Sequence, residues 1–448
     1  MIRMRSKKIE LKLNLEQRKL CAKSAGTSRY AYNWKLGKLI AEYEANKALA
    51  TMYGLDKVPS TMGTAIDWHK EWNRIKKQDK YKWIYETSKC CGQEALRDLQ
   101  VAFRKFFSKK GGYPKFKKKQ VNDSFRLTGY IYVGYDWVQL PGIGKVKLKE
   151  KGYTTKDKDE KLNVSQITVS RQADHWFISY LHKEEITQIP KTPINEISSD
   201  EYDVVGIDLG VKDLAITSYG ETFSNPKAYK EHMMKLKRYQ RSVSRKKKGS
   251  NNKKKTIFKL SRLHKRIADI RNDAAHKMTT QMVKTKPKII VIESLKPKNM
   301  SKNRKMANSI LDASFGRIKE LFTYKSQWTG IHLVQAPIFY ASSKFCSSCG
   351  YMKKDLKLED RAWVCPVCGE YHDRDVNAAR NLRFFGLWLL NKITVSSTGL
   401  ACSEGERFPN VNWDSFPQHR DGRLQFLKEQ CLSMKQEFKY TQDFALCA

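Results

Sequence analysis

Two sets of residues in this 448-residue sequence have types and spacings that could do chemistry. The first is Cys346, Cys349, Cys365 and Cys368, in the form C-x2-C-x15-C-x2-C. Tetrahedral Zn²⁺ takes four thiolates at about 2.3 Å, and each C-x-x-C turn offers two sulfurs to one ion. A glycine follows each pair, Gly350 and Gly369, and suits a tight knuckle. A redox C-x-x-C would need one pair and a thioredoxin-like context, which is missing. Four sulfurs leave no open position, so the spacing predicts a structural zinc that staples a small insert.

The second set is Asp208, Glu293 and Asp375. Asp208 is read as mid-strand in "VVGIDLG", and Glu293 closes "IIVIES". A carboxylate in an apolar strand is costly to bury without a metal or partner. Asp375 opens a helix, where the macrodipole favours an anion. Alone, a strand-end glutamate is more often a cap than a ligand. Together, on strand, strand and helix, the three match the needs of a two-metal phosphodiesterase, and their hard oxygens suit Mg²⁺ or Mn²⁺. Asp373 competes for the third place, but a loop position there suits capping, so Asp375 is favoured. "GIDLG" also fits the first phosphate loop of actin-like ATPases. Those need a later Asp-Gly loop, and the one available, Asp421-Gly422, lies in a polar tail.

These residues need elements to position them. Residues 1–14 alternate like a strand. Residues 15–118 read as helices, with Tyr32, Leu36, Leu39 and Ile40 on one face and Leu96, Leu99, Phe103 and Phe106 on another. Gly111, Gly112 and Pro114 stop that second helix. Residues 119–190 read as strands, and strand 1–14 could complete their sheet. A linker covers 189–201. From 203 an α/β domain opens: two strands around a turn at Gly210, two basic helices broken near Gly249, a buried strand "IIVIE", a helix over about 308–328, and a strand in "HLVQAPIF". Its last helix, 375–390, follows the knuckle. The tail 391–448 holds seven basic and seven acidic residues and reads as mobile or as a loosely docked appendage.

Charge bounds the partner. There are 86 Lys and Arg against 46 Asp and Glu, a formal +40. Self-repulsion of that size points to a polyanion, so nucleic acid is the expected partner. No apolar run approaches the roughly 18 residues of a membrane span, and no basic amphipathic helix shows a clean apolar face, so no membrane partner is expected. The N-terminus lacks the apolar core of a signal peptide, so an intracellular, cytoplasmic and nucleoid-associated location is expected. Cys21, Cys90, Cys91, Cys402, Cys431 and Cys447 then read as packed or incidental thiols.

At "GIDLGVKDLA", "IESLKPKNM", "CSSCG", "WVCPVCG" and "HDRDVNAARN", and less specifically at "GTSRYAYNWKL" and "GGYPKFKKK", the sequence resembles the TnpB (OrfB) family of insertion-sequence proteins, relatives of type V CRISPR effectors. The likeness covers about residues 1–390. It implies an α/β multidomain protein with an RNase H-like (RuvC-like) nuclease domain over 203–342 and 373–390. A four-cysteine zinc ribbon over 343–372 would be inserted in it, to bind target nucleic acid. A β-rich, barrel-like wedge would comprise 1–14 and 119–195, and a helical recognition lobe 15–118. It implies Asp208, Glu293 and Asp375 as the catalytic triad, a guide RNA from the transposon end, and double-stranded target DNA cut beside a short transposon-adjacent motif. A monomer in the complex is the expectation. Some relatives use an arginine near the ribbon, and Arg361 is the candidate here. Guided recognition by backbone contact agrees with a dispersed Lys/Arg surplus. Tyr30, Tyr32, Trp34 and Tyr113 could stack on bases, with core packing the competing role. A nuclease-dead guided repressor, or a transposase or junction resolvase on the same fold, are the rival functions.

Overall fold

The computed structural model describes residues 2–55, 62–119, 123–155, 157–185, 189–338, 340–357 and 359–397. The chain divides into two units, Met1–Ile186 and Thr187–Ala448. The tail expectation falls almost wholly on 398–448, outside the described residues, as do Cys402, Cys431 and Cys447.

In the first unit, strand β1 (Ile2–Lys12) leads into helix α1 (Leu15–Met52), whose start is fixed by a reciprocal Asn14–Gln17 capping box. Helices α2 (Ala65–Ile75) and α3 (Lys89–Phe107) follow. Leu36, Leu39, Trp68, Trp72, Leu96, Leu99 and Phe103 form their shared core. Strands β2 (Ser124–Thr128), β3 (Tyr132–Val133), β4 (Trp137–Leu140), β5 (Gly144–Leu148), β6 (Leu162–Asn163), β7 (Gln166–Gln172) and β8 (His175–Glu185) join β1 in one sheet, ordered β2-β7-β8-β1-β5-β4-β3-β6. The N-terminal strand therefore sits mid-sheet. Cys21, Cys90 and Cys91 are buried beside that sheet's core, where burial pushes the thiols of Cys21 and Cys91 up to about 12. Tyr30, Tyr32 and Trp34 pack with the helical core, while Tyr113 stays exposed.

The second unit is built on a five-stranded sheet, ordered β11-β10-β9-β12-β13. Its strands are β9 (Val204–Asp208), β10 (Asp213–Thr217), β11 (Thr222–Ser224), β12 (Ile289–Glu293) and β13 (His332–Ala336). Helices α4 (Ala228–Arg245) and α5 (Asn251–Lys284) lie between β11 and β12. A one-turn helix α6 (Pro297–Met300) then precedes α7 (Ala307–Ala313) and α8 (Phe315–Thr329). The single helix expected near 308–328 is thus two, broken at Ser314, whose φ of 56° is left-handed. Strands β14 (Ala362–Val364) and β15 (Tyr371–Asp373) form the knuckle hairpin, and α9 (Arg374–Ser397) runs past the expected end at 390.

β9 and β12 share one burial pattern: four buried residues, then a half-buried carboxylate. Both faces are covered, which is why these strands read as unbroken apolar runs. Val205, Ile207, Ile290 and Ile292 face a core with Met278 and Met282 of α5 and Ile318, Leu321 and Phe322 of α8. Val204, Ile289 and Val291 face Leu382, Phe385 and Trp388 of α9. Asp208 ends its strand; it is not mid-strand as expected.

Candidate active site and metal centre

β12 runs parallel to β9, with Ile289 opposite Val204 and Ile292 opposite Ile207. One residue further along each strand, Asp208 and Glu293 emerge side by side at the same end of the sheet. Both apolar runs stop at the same level, so the two acids are paired by register.

The third carboxylate arrives on α9, which crosses β9 at very short range. A Cβ on Gly206 would collide with the Ala379 carbonyl oxygen and the Arg383 amide nitrogen. On the helix side, a Cβ on Gly386 would come within 2.6 Å of Val291 Cγ2. The two glycines let helix backbone lie against strand backbone. The first turn of α9 is thereby drawn to the end of β9. Asp373 does cap the helix: its Oδ1 accepts from the Asp375 and Val376 amides, both at 3.0 Å. Asp375 is left free of the cap.

Asp208 and Asp375 line one cavity of about 50 Å³ with Gly210, Val211, Lys212, Asp213, Ile216 and Arg361. Burial, then the Glu293 carboxylate bonded to it, then Asp375, hold the Asp208 acid well above its ordinary range, while Arg374 pulls the other way. A buried acid that resists ionising beside other carboxylates is in the environment a hard divalent cation relieves. The triad is looser than the thiol cluster: among the described residues, only the four cysteines have every ligand atom within 4.8 Å of the others. Ser342 Oγ donates to Glu293 Oε1 at 2.8 Å and fixes that side chain. Arg361 Nη1 stands 4.0 Å from Asp375 Oδ2, and Lys212 Nζ 4.0 Å from Asp213 Oδ2, so two cations sit on the rim. Lys212 and the fourth acid, Asp213, escape a sequence reading that looks only for carboxylates ending apolar runs; their signal was the turn itself.

The four cysteine sulfurs fit zinc. Cys346 and Cys368 sulfurs are 3.6 Å apart, and those of Cys349 and Cys365 3.5 Å. A tetrahedron with bonds of about 2.3 Å has edges of about 3.8 Å. His372, passed over in the sequence, is buried with Nε2 3.0 Å from Cys346 Sγ, where it can steady that ligand from behind. A histidine four residues beyond the last knuckle cysteine was the available clue.

The knuckle is bolted to α9 by two asparagines. Asn377 Nδ2 and Asn381 Nδ2 both donate to the Phe345 carbonyl at 2.7 Å, and Asn377 Oδ1 accepts from the Ser347 amide at 2.9 Å. Arg361 is held where β14 meets β15: the Arg374 amide donates to the Arg361 carbonyl at 2.9 Å. In "HDRDVNAARN", one strand-to-helix junction thus carries the cap, the third acid, the knuckle clamps and the small residues that reach the sheet.

Family models match three stretches. Residues 185–304 match one described as "Probable transposase" (OrfB_IS605), and 315–382 one described as "Cas12f1-like, TNB domain". Residues 1–48 match a "Helix-turn-helix domain", though here they form β1 and an unbroken part of α1. A Streptomyces pristinaespiralis protein named "Putative RNA-guided DNA endonuclease" is 37% identical over 323 residues, 71% of this chain and 75% of its own. "Putative RNA-guided DNA endonuclease InsQ" of Escherichia coli K12 is 31% identical over 399 residues, 85% of this chain and 92% of its own. The chain belongs to the TnpB family. This TnpB-family chain is also similar to a solved Cas12f1–sgRNA–target DNA complex, at 16% identity and a TM-score of 0.49, with 83% of each chain covered. Among the described residues, no helix is long and apolar enough to cross a membrane.

Proposed function

We propose that this protein is an RNA-guided DNA endonuclease with one RuvC-like, RNase H-type site formed by Asp208, Glu293 and Asp375. The observation that carries the reading is the convergence of these acids at one end of one sheet, two by strand register and one by the close crossing of α9. The relatives' names support the guide and the DNA substrate. Cysteines 346, 349, 365 and 368 would hold a structural Zn²⁺. The acids would hold Mg²⁺ or Mn²⁺, two ions sharing the work of activating water and stabilising the leaving oxygen. Around them, Ser342 orients Glu293, Asp373 keeps the α9 terminus in place, and Lys212 and Arg361 offer positive charge to the scissile phosphate.

In this reading the region 1–14 and 119–195, which carries the eight-stranded sheet, is the wedge, 15–118 the recognition lobe, and 343–372 the zinc insert that meets the target. A short transposon-adjacent motif would license the target, and the two DNA strands would be cut in turn.

The test is to purify the protein with its RNA, sequence that RNA, and offer matching target DNA with Mg²⁺. We expect guided scission, and its loss by more than about a hundredfold in Asp208→Ala, Glu293→Ala and Asp375→Ala, since each removes several kcal/mol of charge stabilisation. Guided binding without scission in the unaltered protein would make it a binder instead. An RNA-free protein that cuts branched DNA would make it a resolvase.

A further inference from the structure

Helices α4 and α5 form a basic arm. Residues 228–284 hold nineteen Lys and Arg against three Asp and Glu, and 235–266 hold fifteen against none. The apolar core joining the two helices is small, chiefly Ala228, Leu236, Leu263 and Ile267. A merely solvated helical face is usually laced with both signs of charge. Here the repulsion is left uncompensated, against a small core.

One stripe of the arm is shaped. Lys237, Gln240, Arg241, Ser244 and Arg245 line a groove of about 370 Å³ along α4. The three cations recur at every fourth residue, so they span about 12 Å of helix. One DNA strand carries a phosphate every 3.4 Å or so, three to four over that length. Gln240 adds a neutral donor between the charges, while the Ser244 hydroxyl donates to the Gln240 carbonyl at 3.1 Å.

The arm is rooted at the acidic site. β11 pairs with β10 so that Ser224 lies opposite Asp213, which lines the acidic cavity. Asn225 Nδ2 then donates to the carbonyl of Val211, another cavity residue, at 2.8 Å. α4 therefore leaves the sheet at the end where the carboxylates stand. That cavity admits little more than a single phosphodiester, and its acids repel a polyanion. A strand presented there has to be held by positive charge nearby.

We propose that the α4 groove is a docking track for the sugar–phosphate backbone of DNA bound for the acidic site. This rests on the nuclease reading and names a substrate-holding surface for it. The three cations are exposed and make no ion pair among the described residues, so their replacement should leave the fold intact.

The experiment compares the RNA-loaded protein with K237Q/R241Q/R245Q and with the charge-keeping K237R/R241K/R245K. Binding to target duplex and to an unrelated duplex is measured across a salt series, and RNA content is measured in each preparation. We expect equal RNA content, and a log–log salt slope shallower by about 2.7 in the neutral variant, about 0.9 per lost phosphate contact. The charge-keeping variant should keep the original slope. If the triple variant does not fold, Arg241→Gln alone should shift the slope by about 0.9. An unchanged slope overturns the proposal, as does loss of RNA with an unchanged slope, which would assign the groove to the guide. Failure of the nuclease reading would appear separately, as absent scission by the unaltered protein, with the slopes still readable.

Discussion

Asp208 is the residue whose situation says most about the site. Its acid is held above the ordinary range by burial and by two neighbouring carboxylates. A group that binds its proton more tightly folded than unfolded costs stability as pH rises between the two values. Without divalent ions, the protein should therefore lose stability on moving from acid to neutral pH. Asp208→Asn has no such proton to lose. It should melt higher than the unaltered protein at pH 8 without Mg²⁺, by about 2–4 °C for each kcal/mol of repulsion removed, and the gap should shrink at pH 5. Thermal melts at the two pH values check this, and an equal or lower melting temperature at pH 8 would deny that the acids crowd one another. Asp208 and Glu293 stood out in the sequence because a charge in or closing an apolar strand breaks a rule, and Asp375 because it follows one, an anion at a helix start. Asn377 and Asn381 break none. They look like surface polar residues until the knuckle loop lies over them.

α9 is the element on which the proposed site turns. It touches β9 through Gly206, carries Asp375 in its first turn, and grips the knuckle through Asn377 and Asn381. Gly206→Ala should force the helix off the strand, costing about 1–3 kcal/mol or more, and should lower scission by shifting Asp375. Denaturant melts and a nuclease assay would show it; a variant as stable and active as the original would contradict the close crossing. The knuckle should matter in the same way. Stripping zinc with a chelator, then restoring Mg²⁺ alone, should leave scission depressed, and thiol titration should release one Zn²⁺ per chain. Full recovery on Mg²⁺ alone would cut the link from knuckle to α9. The two strands under α9 were legible as an apolar strand in "VVGID" and a buried strand in "IIVIE", while their parallel pairing, between residues some 85 positions apart, was not. The break at Ser314 was not, because the apolar pattern runs on through Phe315 and Ile318, and the nearby Gly316 lies inside α8 and not at the break. Helix continuity there is decided by packing, which periodicity does not report.

For the whole molecule, charge and contact tell complementary stories. The surplus of +40 predicts a polyanion partner but does not say where it lies. The structure gathers a large share of it on α4 and α5, an arm with little apolar core of its own. The chain divides between Ile186 and Thr187, just ahead of the Pro-, Ser- and acid-rich linker read at 189–201. The mid-sheet position of β1 was foreseen only as a possibility, since pairing between residues some 140–180 positions apart leaves no local trace.

The crowding of Asp208 also bears on how such a chain could change over generations. Here, with no cation bound, Asp208 among its carboxylate neighbours costs the fold stability near neutral pH, so losing its charge relaxes it. Mutation alone would then carry copies downhill toward inert but well-folded descendants, and only continued selection for strand breakage would keep the three carboxylates together.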